Sequence, residues 1–169
     1  MNVVWFKRDL RLCDHAPLAS AIDLREPLLL LYVVEPELLK NPHYRGRHWH
    51  FIAQSLQAMN SELQRHGATV EVVEGDTVAI LQALHRHTPV RRLLSYEETG
   101  LGVTFARDQR VSAFCQAEGI AWQEFQTNGI QRGRRDRRGW NRSWHQVMEQ
   151  DEMAVDLAAL ASLSNPLPG

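Results

Sequence analysis

Short apolar runs alternate with longer stretches of helical periodicity along most of this chain. The first run, residues 3–6, is bounded by charge and is too short for a helix, so it indicates a buried strand. The second run, 27–34, is almost continuously apolar, as in parallel strands that are covered on both faces. Further strands are predicted at 69–73, 92–96 and 120–125. The alternation predicts a Rossmann-like, doubly wound sheet of five parallel strands in a three-layer α/β/α domain.

The intervening stretches carry helix signals. The predicted helices span residues 17–24, 47–66 and 104–118, with a further helix that starts after Asp76, a good N-cap residue. Gly67 and Gly119 follow two of these helices, at the positions where a left-handed C-terminal cap is common. The segment 38–47 contains Asn-Pro and Gly, and is predicted to be a loop.

Composition narrows the class of function. A chain of 169 residues can form one sizeable core, and its net charge of −1 excludes a broad electrostatic attraction to DNA or to membranes. The apolar run at 27–34 is too short to span a bilayer, so no membrane partner is predicted. Cys13 and Cys115 form no C-x-x-C pair, and the chain starts with a strand and not a signal peptide, which predicts a cytoplasmic protein.

Two stretches carry a family resemblance. Val-Val-Trp-Phe-Lys-Arg-Asp-Leu-Arg-Leu, residues 3–12, resembles the opening signature of the DNA photolyase and cryptochrome family. Tyr-Glu-Glu-Thr-Gly at 96–100, followed by Phe-Ala-Arg-Asp at 105–108, resembles the fourth-strand loop and the next helix of that family. The stretch 45–51 resembles the start of the family's second helix. The resemblance extends to about Met148 and corresponds to the family's N-terminal α/β domain.

The resemblance implies a function as well as a fold. In this family the N-terminal domain holds an antenna chromophore, a deazaflavin, flavin or folate, and a larger helical domain holds the FAD that drives light-dependent repair of pyrimidine dimers in DNA. No residue of that helical domain is present here, so the chain alone is predicted to be non-catalytic. The alternative within the family is a blue-light photoreceptor of cryptochrome type. Residues 102–105 lack the Asn-acidic pair of the folate-binding relatives, which argues against folate.

The resemblance also implies a division of the chain. Residues 1–131 correspond to the α/β domain, and 132–169 form an Arg/Trp-rich segment that leads toward the absent FAD-binding helical domain. Five arginines lie within 132–138, ahead of Trp140 and Trp144. We expect this segment to be an interface to the helical domain, the alternative being a contact to DNA phosphates. Residues 155–169 are predicted not to pack.

The candidate site lies where the strands end. The chain has no G-x-G-x-x-G and no Walker loop. Its histidine pairs are two residues apart, a spacing that points the side chains to different faces of a helix, so these histidines are predicted to be surface residues and not metal ligands. Ligands of doubly wound sheets bind at the carboxyl ends of the strands, so the chromophore site is predicted there. Its predicted residues are Phe6, Lys7, Arg8, Asp9, Leu10, Val34, Glu35, Arg47, Trp49, Glu97 and Thr104. The pairs Arg8-Asp9 and Arg107-Asp108 predict an ion-pair network that fixes the first turn against the fourth long helix, the alternative being a polar pocket rim.

Overall fold

The computed structural model describes residues 1–126, 133, 136, 138–165 and 167, and it contains a single five-stranded sheet within them. The strands are β1 (Asn2–Phe6), β2 (Leu28–Val34), β3 (Val70–Glu74), β4 (Arg92–Tyr96) and β5 (Ala121–Phe125). Their order is β3-β2-β1-β4-β5, and all pairs are parallel. The predicted five-stranded parallel sheet is confirmed. The chain winds outward from β1 in one direction and then from β4 in the other, which makes a switch point between these two strands.

Helices connect the strands and continue after them. They are α1 (Ala16–Asp23), α2 (Pro36–Leu39), α3 (Gly46–Leu63), α4 (Thr77–His87), α5 (Gly102–Glu118), α6 (Trp140–Met148) and α7 (Leu160–Leu163), with 3-10 turns at Gln64–His66 and Leu157–Ala159. The predicted loop at 38–47 is wrong at its start, because α2 includes Leu38 and Leu39. Proline is favoured in the first turn of a helix, and Pro36 occupies that place in α2.

Local capping explains several of the helix boundaries. Asp76 accepts a hydrogen bond from the backbone N–H of Ala79 at 3.1 Å, so the predicted N-cap of α4 is confirmed. Gly119 ends α5 at φ 67°, and Gly67 ends the 3-10 turn after α3 at φ 66°. Both conformations are left-handed, which a residue with a Cβ adopts only at an energetic cost.

Two hydrophobic clusters cover the sheet, one on each face. The cluster with α1, α3 and α7 includes Val4, Phe6, Leu30, Tyr32, Leu18, Ile22, Leu56, Leu63 and Leu160. The cluster with α4 and α5 includes Val3, Trp5, Leu29, Leu31, Leu93, Leu81, Leu84, Val111, Phe114 and Cys115. Alternate residues of the central strands thus enter opposite clusters, and the predicted three-layer α/β/α architecture is confirmed.

The C-terminal residues pack, contrary to the sequence-based expectation for 155–169. Leu160 is fully buried in the first cluster, and Leu163 is also buried. Beyond α7, Ser164 forms a parallel bridge to Leu28, and the N–H of Asn165 donates to the Leu28 carbonyl at 2.9 Å. A helix this short carries no readable helical period, so its packing against the sheet cannot be predicted from the local sequence.

Candidate functional site

A cavity of about 510 Å³ opens at the carboxyl edge of the sheet, among the ends of β1, β2 and β4. This is the region in which doubly wound proteins bind ligands, and the volume is in the range of small-molecule sites. Its walls come from the turn after β1, the segment from β2 through α2, the first turns of α3, and the loop from β4 into α5. The lining residues include Trp5, Tyr32, Leu38, His43, Tyr44, His48, Phe51, Ile52, Glu98, Leu101 and Arg107.

Six of the predicted site residues line this cavity. They are Phe6, Lys7, Arg8, Leu10, Glu35 and Arg47. Each ends a strand, follows a strand or begins a helix at the same edge, which is why the sheet topology brings them together. Their role in binding a ligand stays a prediction.

Asp9 and Thr104 lie outside the cavity wall and stabilise the backbone around it. Oδ2 of Asp9 accepts a hydrogen bond from Nε2 of His15 at 2.7 Å. His15 carries its proton there because its Nδ1 accepts from the N–H of Leu18 at the start of α1. Burial alone would raise the pKa of Asp9, but the hydrogen bond from His15 holds that pKa below its usual value. The Thr104 hydroxyl donates to the carbonyl of Leu101 at 2.8 Å.

Val34, Trp49 and Glu97 also lie outside the wall. Val34 packs on the first cluster, and the side chain of Trp49 stacks near Tyr44 with ring centroids 5.2 Å apart. The N–H of Glu97 donates to the Phe125 carbonyl at 2.8 Å, which keeps Glu97 in line with the end of the sheet. In these three cases an adjacent residue lines the cavity instead. Side chains alternate direction along extended backbone at Val34 and Glu97, and successive residues of a helix point to different faces at Trp49.

A buried ion-pair network forms the inner wall of the cavity. Arg107 donates from Nη1 to Oε2 of Glu35 at 2.8 Å and from Nε to Oδ1 of Asp108 at 2.9 Å. Nζ of Lys7 lies 3.1 Å from Oδ2 of Asp108. These contacts join the ends of β1 and β2 to α5. Both cations also lie over the ring of Trp5, at 4.4 Å for Lys7 and 4.7 Å for Arg107.

Only part of the predicted ion-pair network is present in the structure. Asp108 does fix the first turn against α5, through Lys7, whereas Arg107 joins α5 to Glu35 at the end of β2. Arg8 and Asp9 do not pair with each other, because Nε of Arg8 lies 2.9 Å from Oε1 of Glu98 and Asp9 binds His15. The alternative interpretation, a polar rim, also describes Arg8 and Arg107, since both line the cavity.

Burial and neighbouring charges shift the pKa values of the ionisable residues in this wall. Desolvation lowers the pKa of Lys7, although the nearby carboxylate of Asp108 opposes the shift. Burial raises the pKa of Glu98, although the charges of Arg8 and Arg107 oppose it. The pKa of Arg107 itself is raised, because Asp108 and Glu35 outweigh the cost of its burial. Removing one member therefore changes the ionisation of the others.

Sequence comparison agrees with this architecture. The family model described as DNA photolyase matches residues 2–132. The chain belongs to the DNA photolyase family. A deoxyribodipyrimidine photo-lyase of Agrobacterium fabrum is 29% identical over 112 residues, 64% of this chain and 23% of that protein. Cryptochrome-1 of Arabidopsis thaliana is 30% identical over 128 residues, 73% of this chain and 18% of that protein.

Solved structures of photolyases share the fold. An archaeal photolyase from Sulfolobus tokodaii, described as containing two FAD molecules, matches with a TM-score of 0.78 at 17% identity, over 99% of this chain and 39% of that one. A bacterial class III photolyase from Agrobacterium tumefaciens matches with a TM-score of 0.71 at 22% identity, over 88% of this chain and 32% of that one. This photolyase-family chain thus spans about a fifth of the length of its curated relatives and under two fifths of these structures.

The described part of this photolyase-family chain contains neither a metal-binding cluster nor a membrane-spanning helix. Across the described residues, no cluster of three or more His, Cys, Asp or Glu side chains could hold a metal ion. Within the same part of the chain, no helix is long and apolar enough to cross a membrane.

Sequence reasoning missed the aromatic and acidic parts of the cavity wall. Tyr32 and Tyr44 both line it, and burial raises the pKa of each hydroxyl. Glu98 stands beside the predicted Glu97. The Arg-Asp pair at 107–108 was a sequence signal for Arg107. Asp108 is 101 residues from Lys7 in the sequence, so the contact of this pair with the site is seen only in the folded structure.

Proposed function

We propose that this chain is the chromophore-holding, light-harvesting domain of a photolyase-type flavoprotein. The observation that carries this proposal is the cavity at the switch point, with aromatic walls and a polar inner end, in a chain that belongs to the photolyase family. The likeness to the Sulfolobus tokodaii photolyase, for which a novel light-harvesting cofactor is implied, supports it. The bound molecule would absorb light and pass on its excitation, so the domain needs a fixed ring position and no reacting group.

The ligand we propose is a flavin or deazaflavin. Tyr32, Tyr44 and Phe51 offer apolar and aromatic surface, and Arg107 offers a donor to ring oxygens. Folate is a weaker candidate, because residues 102–105 lack the Asn-acidic pair of the folate-binding relatives. The catalytic FAD would occupy a separate helical domain, and light-driven repair of pyrimidine dimers in DNA would be an activity of that longer, cytoplasmic protein.

A photoreceptor of cryptochrome type is the second candidate function. Cryptochrome-1 of Arabidopsis thaliana and Cryptochrome-2 of chicken match this chain about as well as the photo-lyase does, at 30% and 26% identity. The two functions differ in the helical domain, while both use an N-terminal domain of this kind. A light-dependent dimer-repair assay on the longer protein separates them.

The segment after the sheet is proposed as the connection to the helical domain, with the boundary near residue 131. Four of the five arginines at 132–138, namely Arg132, Arg134, Arg135 and Arg137, lie outside the described residues. In α6, the rings of Trp140 and Trp144 lie 6.5 Å apart and are 38% and 37% exposed. Tryptophan and arginine are favoured interface anchors, which supports a protein interface over DNA contact as the role of this segment.

A binding experiment tests the proposed function. Riboflavin, FMN, a 5-deazaflavin and a methenyl-folate are titrated into the 169-residue chain, and ligand fluorescence is measured. We expect one-to-one binding of a flavin or deazaflavin, and no light-driven dimer repair. Ile52→Trp, which adds bulk to the cavity wall, should weaken binding at least about tenfold, the loss of roughly 1.4 kcal/mol.

The matched control is Gln54→Trp, on an exposed position of the same helix, which should bind as the unaltered chain does. Equal affinity in the Ile52→Trp variant would contradict the placement of the ligand. Repair of DNA by this chain with FAD alone would contradict the division of roles between the two domains.

A further inference from the structure

The stretch 38–61, from the end of α2 through most of α3, contains cations and no Asp or Glu. Its cations are Lys40, Arg45 and Arg47, and all three side chains are exposed. None of them forms an ion pair within the described part of the chain. The whole chain has a net charge of −1, so this positive charge is a local feature that the protein itself does not neutralise.

Aromatic rings lie among these cations. Phe51 is 67% exposed, and it follows Arg47 by four residues in α3, so the two side chains are neighbours on one face of the helix. The half-buried ring of Trp49 is held by Tyr44, with ring centroids 5.2 Å apart. An exposed phenyl ring gains free energy when a planar partner covers it, so Phe51 offers a stacking surface beside unpaired positive charge.

The core does not explain the exposed ring of Phe51. The apolar stripe of α3 faces the sheet, where Leu56, Met59 and Leu63 are buried. The opposite face carries four exposed residues near its start, Arg47, His50, Phe51 and Gln54. One phenylalanine on a polar face is too little apolar area to hold a helix in a membrane surface. An acidic protein would engage the cations but would leave the ring without a stacking partner.

We propose that this surface binds single-stranded nucleic acid, with phosphates on Lys40, Arg45 and Arg47 and a base stacked on Phe51. Proteins that hold single strands combine cations that follow the backbone with aromatic side chains that stack on the bases. A duplex fits less well, because its bases already stack on one another and offer no open face to Phe51. The inference goes beyond the proposed function and does not depend on which chromophore the cavity holds.

The test measures binding of a fluorescently labelled oligothymidylate of about twelve nucleotides to the 169-residue chain by fluorescence anisotropy. The single strand should bind more tightly than a duplex of the same length. The logarithm of its affinity should fall against the logarithm of salt concentration with a slope of about −2, since each of three phosphate contacts contributes about −0.7.

Variants separate stacking from charge. Phe51→Ala should weaken single-strand binding at least about fivefold and leave the salt slope unchanged, because the ring carries no charge. The double variant Arg45→Gln with Arg47→Gln should reduce the salt slope by about 1.4. The matched controls are Arg86→Gln, at an exposed position of α4, and Trp144→Ala, in the Arg/Trp-rich segment. Both controls should bind the single strand as the unaltered chain does.

Several results would overturn this inference. A loss of binding in Trp144→Ala and not in Phe51→Ala would place the nucleic acid on the Arg/Trp-rich segment. Duplex binding as tight as that of the single strand would mean attraction to phosphate alone. Polyglutamate or phosphatidylserine vesicles that bind as tightly as the oligonucleotide would identify an acidic protein or a lipid surface as the partner. No binding of the oligonucleotide would also refute the inference, and the flavin titration would still test the proposed function separately.

Discussion

Replacing Leu160 by alanine is expected to lower the free energy of unfolding by about 2–5 kcal/mol. Leu160 is fully buried in the cluster on the α1 and α3 face of the sheet. Truncation removes its apolar contacts and leaves a cavity that the surrounding side chains fill only in part. The loss is measured by urea denaturation followed by circular dichroism. The slope of the unfolding free energy against urea concentration should be the same in the variant and the unaltered chain.

Leu39→Ala is the control for this prediction. Leu39 is 43% exposed at the end of α2, so the same truncation there should cost less than about 1 kcal/mol. If Leu160→Ala were as stable as Leu39→Ala, the C-terminal segment would not belong to the folded unit. A large loss would show that the α/β unit needs residues well beyond the family match, which ends at residue 132.

The difference between the predicted and observed C-terminal segment has a physical cause. The long elements were predictable because β1, β2 and α3 each carry a pattern that is complete within the segment itself. The turn of helix at Leu160–Leu163 carries no such pattern, and its burial depends on a surface next to Leu28 that the fold assembles. Local sequence therefore predicts the sheet and its helices, but not which short tail returns to cover them.

The candidate site, like the fold, could be predicted from the sequence only in part. The edge of the sheet that topology predicts for the site is also the edge where the cavity lies, so residues directly after the strands, such as Lys7 and Glu35, line the cavity. Which of two adjacent side chains faces inward depends on backbone torsions at the strand ends, so Glu97 was chosen where Glu98 lines the cavity. Arg107 reaches the site from α5, and its place there follows from packing across the sheet, which no local pattern records.

Arg107→Met is expected to cost about 3–5 kcal/mol of unfolding free energy at neutral pH, because it leaves the buried carboxylate of Glu35 without its cation. The Arg107 side chain is 5% exposed and binds Glu35 and Asp108 directly. Methionine retains most of the apolar volume, so the loss reports mainly on charge. Arg110→Met is the matched control, because Arg110 lies on the same helix and pairs with Asp76 in solvent, where an ion pair is worth at most about 1 kcal/mol.

The cost of Arg107→Met should also depend on pH. Burial already raises the pKa of Glu98 in the folded protein, and the charge of Arg107 opposes that rise, so the variant raises this pKa further. An acid with a raised folded pKa stabilises the fold below its unfolded pKa, and the stability is lost as pH rises through the folded value. The stability difference between Arg107→Met and the unaltered chain should therefore be larger at pH 8 than at pH 5 in urea denaturation. A pH-independent difference, or one no larger than that of Arg110→Met, would mean that the network contributes by packing alone.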